Sequence, residues 1–307
     1  MKAVQIVEVG ARDGLQNEKK TLSPKVISDF ILRLLQAGIS RIEAGAFVSP
    51  NWVPQMAGTE EVLKILSKEK IFSKSAFSVL VPNEKGFQLA VDHSVPEIAL
   101  FAACTESFSQ KNLNCSIEES FERFMSFAPL ARKRKMKIRG YLSVCFGCPF
   151  EGEVSEKQVV SLLKKFLELG AYEVSLGDTI GVAHAGQVRG LIRKLKRQGL
   201  LKKVAGHFHD TRGQALANCL VAYEEGVRIF DTSLGGLGGC PYAPGAKGNV
   251  ATEEVVYMFE GLGVKTGIDI QKLLEINRWM SHQKAEPLPS RLGAAGLLSP
   301  RGSILSF

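Results

Sequence analysis

"VVSLLKKFLELGAYEVSLGD", residues 159–178, holds one whole repeat of the fold. Val159, Leu162, Leu163 and Phe166 recur at the spacing of one helix face, and the pattern stops at Gly170, a residue suited to a helix C-terminus. "YEVSLGD" follows as a short buried strand that ends on an acid. The same order of helix, closing glycine and apolar run extends in both directions. Val26, Phe30, Leu34 and Ala37 mark another helix face, and "LLQAG", "KRQG" and "YEEG" close others. The strand-like runs are "AVQIVEV", "RIEAGAF", "SAFSVLV", "EIALFAA", "IRGYLSVCF", "YEVSLGD", "VAGHFHD" and "VRIFDTSL". Eight such runs alternating with helices predict an α/β fold, a (β/α)8 TIM barrel with parallel strands buried on both faces.

No linker or shift in composition divides the chain. One domain over residues 1–307 is expected, with the barrel over about 1–265 and an extra C-terminal helix, "DIQKLLEINRWMSHQ", plus tail over about 266–307. With 45% hydrophobic residues the chain can bury a full core. No stretch reaches the roughly 20 apolar residues needed to cross a bilayer, and no signal peptide precedes "AVQIVEVG", so a cytoplasmic protein is expected. The six cysteines form no disulfide framework, and "CFGC" lacks a second pair for zinc. The net charge of +8 is concentrated in "ARKRKMKIR" and "RKLKRQGLLKK". Both runs span a helix end and the next strand start, where cations suit the helix dipole, and no nucleic-acid signature accompanies them. Neither nucleic acid nor membrane is expected as a partner; an acidic small substrate suits the charge.

In a barrel of this kind, chemistry sits at the C-terminal ends of the strands. Reading those ends gives Arg12 and Asp13 after strand 1, Glu43 on strand 2, Asp178 ending strand 6, and His207 and His209 ending strand 7. Strand 8 leads into the long glycine-rich "GGLGGCPYAPGAKGN", which contains Cys240 and ends at Asn249. His207 and His209 stand two apart in a strand and so project to one side. With Asp13 and the amide oxygen of Asn249 they supply three or four ligands to a divalent cation and leave positions for water or substrate. Nitrogen and hard oxygen donors without cysteine suit Mg²⁺ or Mn²⁺, and two histidines with one carboxylate also admit Fe²⁺. Asn249 has a competing use as cap of the helix beginning "VATEEVVYM", and Asp210 or Thr211 caps the helix beginning "GQALANCL".

"VEVGARDGLQNE", "FVSPNWVPQM", "VSLGDTIGV", "GHFHDTRGQALAN" and "GGLGGCPYAPGAKGNVATEE" resemble the matching segments of the 3-hydroxy-3-methylglutaryl-CoA lyases, within the metal-dependent lyase and Claisen-condensing barrel superfamily. The resemblance spans nearly the whole barrel, and its strand 8 and "FVSPNWVPQM" elements are the most specific to the lyases. It implies a retro-Claisen cleavage to acetyl-CoA and acetoacetate, with Asp13, His207, His209 and Asn249 as metal ligands. It further implies Arg12 as the catalytic arginine, Glu43 and Asp178 as supporting polar residues, and Cys240 on a mobile loop. Asp13, His207, Asp178 or a hydroxide on the metal could serve as base. Lys19 and Lys20, beside the site, are candidates for coenzyme A contacts, and a homodimer or other homo-oligomer is expected. The chain departs from the lyase pattern at Ala11, at Gly45 and Ala46, and at Arg212. The smaller Gly45 and Ala46 leave open a lyase for a larger 3-substituted 3-hydroxyglutaryl-CoA. A synthase condensing acetyl-CoA with a 2-oxo acid is the other alternative, and Arg212 either contacts an acidic substrate group or is an exposed helix-start residue.

Overall fold

The computed structural model describes residues 3–69, 76–239 and 248–297. Eight parallel strands close in chain order into a barrel: β1 Gln5–Glu8, β2 Arg41–Ala46, β3 Ala76–Leu80, β4 Glu97–Ala103, β5 Lys137–Ser143, β6 Glu173–Asp178, β7 Val204–Phe208 and β8 Ile229–Thr232. The barrel read from the sequence is therefore the one observed. β4 coincides with "EIALFAA", β5 begins one residue before its run at Lys137, and β1, β2, β6, β7 and β8 are shorter than theirs by one to four residues.

The helices are α1 Pro24–Gln36, α2 Thr59–Ser67, α3 Glu84–Asp92, α4 Glu106–Leu113, α5 Ile117–Lys133, α6 Glu156–Glu168, α7 Ala185–Arg197, α8 Ala215–Glu225, α9 Thr252–Gly261, α10 Ile270–Lys284 and α11 Arg291–Ala295. α6 shows why they form. Ser155 accepts a hydrogen bond from Gln158 N at 3.2 Å to start it, and Val159, Leu162, Leu163 and Phe166 bury one face. Gly170, at φ +96°, then turns the chain into β6 in a conformation that other residues adopt only with strain. α4 was not anticipated: it is a short polar helix inserted between β4 and α5, ended by Asn114 in the left-handed region. The first basic run straddles the end of α5 and the start of β5, and the second runs from the last turn of α7 to Lys203, just before β7, so both place cations at a helix C-terminus. α10 packs against α1 and α9, with Arg33 over the Trp279 ring at 4.7 Å. Among the described residues no helix is long and apolar enough to cross a membrane, and five cysteines are free and buried.

The barrel interior is charged where barrels of this type are usually filled by aliphatic layers. Arg41, Glu97 and Glu173, the first residues of β2, β4 and β6, meet near one opening. Arg41 pairs with Glu173 at 3.1 Å, and Tyr172 donates to Glu97 at 2.9 Å while contacting Arg41. Above them Arg139, fully buried, bonds Glu173 at 2.8 Å, Asp231 at 2.7 Å and the Tyr141 hydroxyl at 2.7 Å. This column ends under the other opening, at the C-terminal ends of the strands.

Candidate active site

β1 leaves the barrel through a single π-type turn, Gly10–Gly14, that carries Arg12 and Asp13. Glu8 fixes the turn from below: its carboxylate accepts from Gly10 N and Leu234 N, both at 2.9 Å, and from the Thr252 hydroxyl at 2.6 Å. Burial pushes Glu8 up to about 7, against those three bonds. A side chain at position 10 would collide with Glu8, so glycine is required there.

Arg12 is clamped on two sides. Its Nε donates to Glu43 Oε2 at 2.6 Å and its Nη1 to Asp13 Oδ1 at 2.5 Å, and the guanidinium lies 5.3 Å from the Tyr141 ring centre. Burial works against its charge, but Glu43 and Asp13 hold it firmly protonated. Burial likewise opposes the charge on Asp13, yet Arg12, His207, His209 and the Asn249 bond bring it down to about 2. Glu43 is the reverse case: burial raises it despite Arg12, and its Oε1 has no partner among the described residues.

His207 and His209 point together, as their spacing in the strand requires. Their Nε2 atoms are 3.2 Å apart, and Asp13 Oδ2 lies 3.8 Å from the first and 3.9 Å from the second. The Nδ1 of His207 faces Asp231 Oδ2 at 3.3 Å, a carboxylate placed to accept an Nδ1 proton, which leaves Nε2 toward His209 and Asp13. His209 is held down to about 4, by burial first and then by His207, so its ring stays neutral near pH 7. Asn249 is bridged to His209 through the backbone, and its Nδ2 donates to Asp13 Oδ2 at 2.8 Å and to Leu237 O at 3.2 Å. Its Oδ1 is buried with no partner among the described residues, and the N-cap position of α9 is Ala251, without a side-chain bond, so Asn249 is not the cap.

Asp13, His207 and His209 thus form a group able to hold a metal ion. Ligands at right angles about 2.1 Å from an ion stand about 3.0 Å apart, so closing these three around one needs shifts below 1 Å. The charge balance also fits. Within the ion-paired interior, Arg12, Arg41 and Arg139 face Asp13, Glu43, Glu97, Glu173 and Asp231, leaving an excess of two negative charges.

The other expected residues are placed differently. Both oxygens of Asp178 accept backbone bonds, from Val182 N at 2.9 Å and Ala183 N at 3.1 Å, so its carboxylate shapes the loop after β6; burial raises it to about 6. Lys19 is exposed, and the Lys20 ammonium donates to Gln283 O at 2.9 Å, joining the turn after β1 to the end of α10. Arg212 donates to Ile180 O and Gly181 O, each at 3.0 Å, bracing the same loop as Asp178. Asp210 Oδ1 accepts from Ala215 N at 3.0 Å at the start of α8, whereas Thr211 Oγ1 has no partner among the described residues. Cys240 lies outside the described residues, but both ends of its loop are at the site: Asn17 Nδ2 donates to Gly239 O, and Asp210 N donates to Gly248 O, each at 2.8 Å.

The reading of Gly45 is corrected. A Cβ there would meet Thr59 Oγ1 at 2.6 Å, so Gly45 faces α2 and not the pocket. A bulge between Glu43 and Gly45 shifts the register, and Thr59 uses the freed space to bond the Ala46 and Met56 backbone.

Sequence reasoning missed Glu8, Arg139, Tyr141 and Asp231. Their signal is a charged or hydroxyl group inside an otherwise apolar strand, with Arg139 and Tyr141 two apart on one side of β5 and Asp231 in the middle of "IFDTSL".

Residues 3–280 match the family described as HMGL-like. The chain is 48% identical over 294 residues to the mitochondrial hydroxymethylglutaryl-CoA lyase of Homo sapiens, covering 96% of this chain and 90% of that one. It is 47% identical over 295 residues to the hydroxymethylglutaryl-CoA lyase of Pseudomonas mevalonii, covering 96% and 97%. The crystal structure of hydroxymethylglutaryl-CoA lyase from Pseudomonas aeruginosa superposes with a TM-score of 0.92 at 45% identity, covering 96% of this chain and 97% of that one.

Proposed function

The chain belongs to the HMGL-like family, and on that footing we propose that it is a carbon–carbon lyase cleaving 3-hydroxy-3-methylglutaryl-CoA to acetyl-CoA and acetoacetate. The observation that carries this reading is the convergence of Asp13, His207 and His209 on one point, with the Arg12 guanidinium fixed against it. The relatives named as hydroxymethylglutaryl-CoA lyases favour the 3-methyl substrate over a larger 3-substituted one and over a condensing synthase. Because Gly45 faces α2, it supplies no extra room for a larger substituent.

The residues that would hold a divalent cation, Mg²⁺ or Mn²⁺, are Asp13, His207, His209 and Asn249 through its Oδ1, which has no partner among the described residues. When bound, such an ion lowers the pKa of the substrate 3-hydroxyl and offsets charge that develops on oxygen. His207 keeps its proton on Nδ1 against Asp231 and presents a lone pair at Nε2. Arg12 is held by Glu43 and Asp13 through Nε and Nη1, and no hydrogen bond to a described residue uses its Nη2. That nitrogen is free to donate to the thioester oxygen as the C2–C3 bond breaks and the enolate forms, an interaction strongest when the charge is fully developed. Cys240, between the anchored ends Gly239 and Gly248, is the proposed group at the carbon that takes up the proton. Asp178 and Arg212 act from further out, by ordering the loop after β6. Lys19 and Lys20 flank the site as cations for the phosphates of coenzyme A. A cytoplasmic homodimer or other homo-oligomer completes the reading.

Incubation with 3-hydroxy-3-methylglutaryl-CoA and Mg²⁺ tests it, with acetoacetate as the expected product. No acetoacetate, together with condensation of acetyl-CoA and a 2-oxo acid, would replace the lyase by the synthase.

A further inference from the structure

The segment after α10 crosses the rim beside β7 and β8 and grips it at four points. Leu288 occupies the space that a side chain at Gly235 would need. Ser290 N donates to Gly235 O at 3.0 Å. On α9, Glu254 Oε1 accepts from Arg291 N at 2.5 Å and from the Ser290 hydroxyl at 3.4 Å. Arg291 Nη1 reaches Asp210 Oδ2 at 2.8 Å and stands 3.7 Å from Glu254 Oε2.

Asp210 is where this strap meets the site. It follows His209 directly, its N–H donates to Gly248 O at 2.8 Å, and Gly248 directly precedes Asn249. His209 and Asn249 are themselves paired across a backbone bridge. One carboxylate, held by Ala215 N on one oxygen and by Arg291 on the other, therefore fixes the chain beside two of the four candidate ligands. A shallow cleft lies beside them, lined by Asp210, Asn249, Glu254, Pro289, Ser290 and Arg291. The strap thus lines the cleft beside Asn249.

We propose that residues 288–291 act as a positioning strap and that Arg291, through Asp210, sets the spacing of His209 and Asn249 for the divalent cation. The proposal rests on the cation reading given above. Arg291 is 60% exposed, so its ion pair adds little to folding. Its effect is on ligand placement, where partners of ligating residues typically govern cation affinity by 10- to 100-fold.

Calorimetric titration of the full chain with Mn²⁺ tests this. Arg291→Ala should bind Mn²⁺ about tenfold more weakly, with the thermal midpoint of the metal-free protein unchanged, and Arg291→Lys should recover part of the affinity. Asp210→Asn should weaken binding too, and the double variant should be no worse than Asp210→Asn alone, because both act through one contact. Wild-type affinity in Arg291→Ala, or additive losses in the double variant, overturns the strap while leaving the cation site standing. Failure of the unmodified protein to bind Mn²⁺ overturns the cation reading and the strap with it.

Discussion

Asp231→Asn separates the charge of a buried group from its shape. The wild-type carboxylate is fully buried and accepts from Arg139 at 2.7 and 3.2 Å, from Ser175 Oγ at 2.6 Å and from His207 Nδ1 at 3.3 Å. Burial alone would raise its pKa, but Arg139 and His207 hold it far below the usual carboxylate range. Asparagine fills the same volume and breaks two of these relations. Arg139 loses one of its two carboxylates and keeps Glu173 at 2.8 Å. Removing one partner of a buried ion pair costs about 3–5 kcal/mol, and the surviving partner places this case near the lower figure. The new amide can also turn its N–H toward His207 Nδ1, which moves the imidazole proton to Nε2 and removes the lone pair from the candidate cation site. Loss of such a partner weakens cation binding by about 10- to 100-fold. Urea unfolding of the metal-free protein and Mn²⁺ titration read the two effects separately. Wild-type stability together with wild-type Mn²⁺ affinity would refute the reasoning, because neither the charge nor the tautomer would then matter.

Arg12→Gln should lower kcat by about 100-fold or more with a smaller change in KM, since its interaction grows as charge develops; a raised KM with normal kcat would make Arg12 a binding residue only. His207→Ala, or exhaustive chelation of the unaltered protein, should abolish most turnover, and undiminished turnover after chelation would rule out the cation. Glu8 has a folded pKa of about 7, above its ordinary value of 4.5, so the folded state binds the extra proton between those values. Its contribution to stability should therefore fall as pH rises from about 4.5 to about 7, by roughly 3 kcal/mol. Because Asp178 and His209 also titrate in this window, the test is the difference between wild type and Glu8→Gln, measured by denaturation at pH 5 and pH 8; it should shift by this amount in favour of Glu8→Gln at the higher pH. Asp13 has the opposite sign: its folded pKa of about 2 lies below 3.8, so its contribution is present above about pH 4 and lost as pH falls toward 2. Metal-free Asp13→Asn should accordingly be less stable than wild type at pH 6 and match it near pH 2.

The barrel could be read from local signals because each βα unit carries its own: a helix face such as Val159 to Phe166, a glycine at positive φ, and a β-branched run. His207 and His209 were legible for the same reason, since two residues in one strand fix their own relative direction. Asp231 and Arg139 were not, because their meaning depends on partners 92 residues apart across the barrel. A strand buried on both faces is expected to be apolar, so a single charge within it gives no hint of what answers it. Gly45 failed for a related reason. Its small size against the lyase pattern suggests room at the pocket, but a bulge inserts one residue and the position faces Thr59. No residue nearby announces that bulge; the space is claimed by a helix that begins 14 residues later.

The charged column inside the barrel also bears on how the enzyme can be altered. An aliphatic interior would insulate the two openings, so that changes at one would be silent at the other. Here Arg41 at one end is linked through Glu173, Arg139 and Asp231 to His207 at the other. Both openings share one electrical account, and a mutational library confined to the rim would leave half of it unsampled. Substitutions at Arg41 or Glu97 are best made together with a compensating partner, and random single changes there should be recovered among inactive variants as often as among unstable ones.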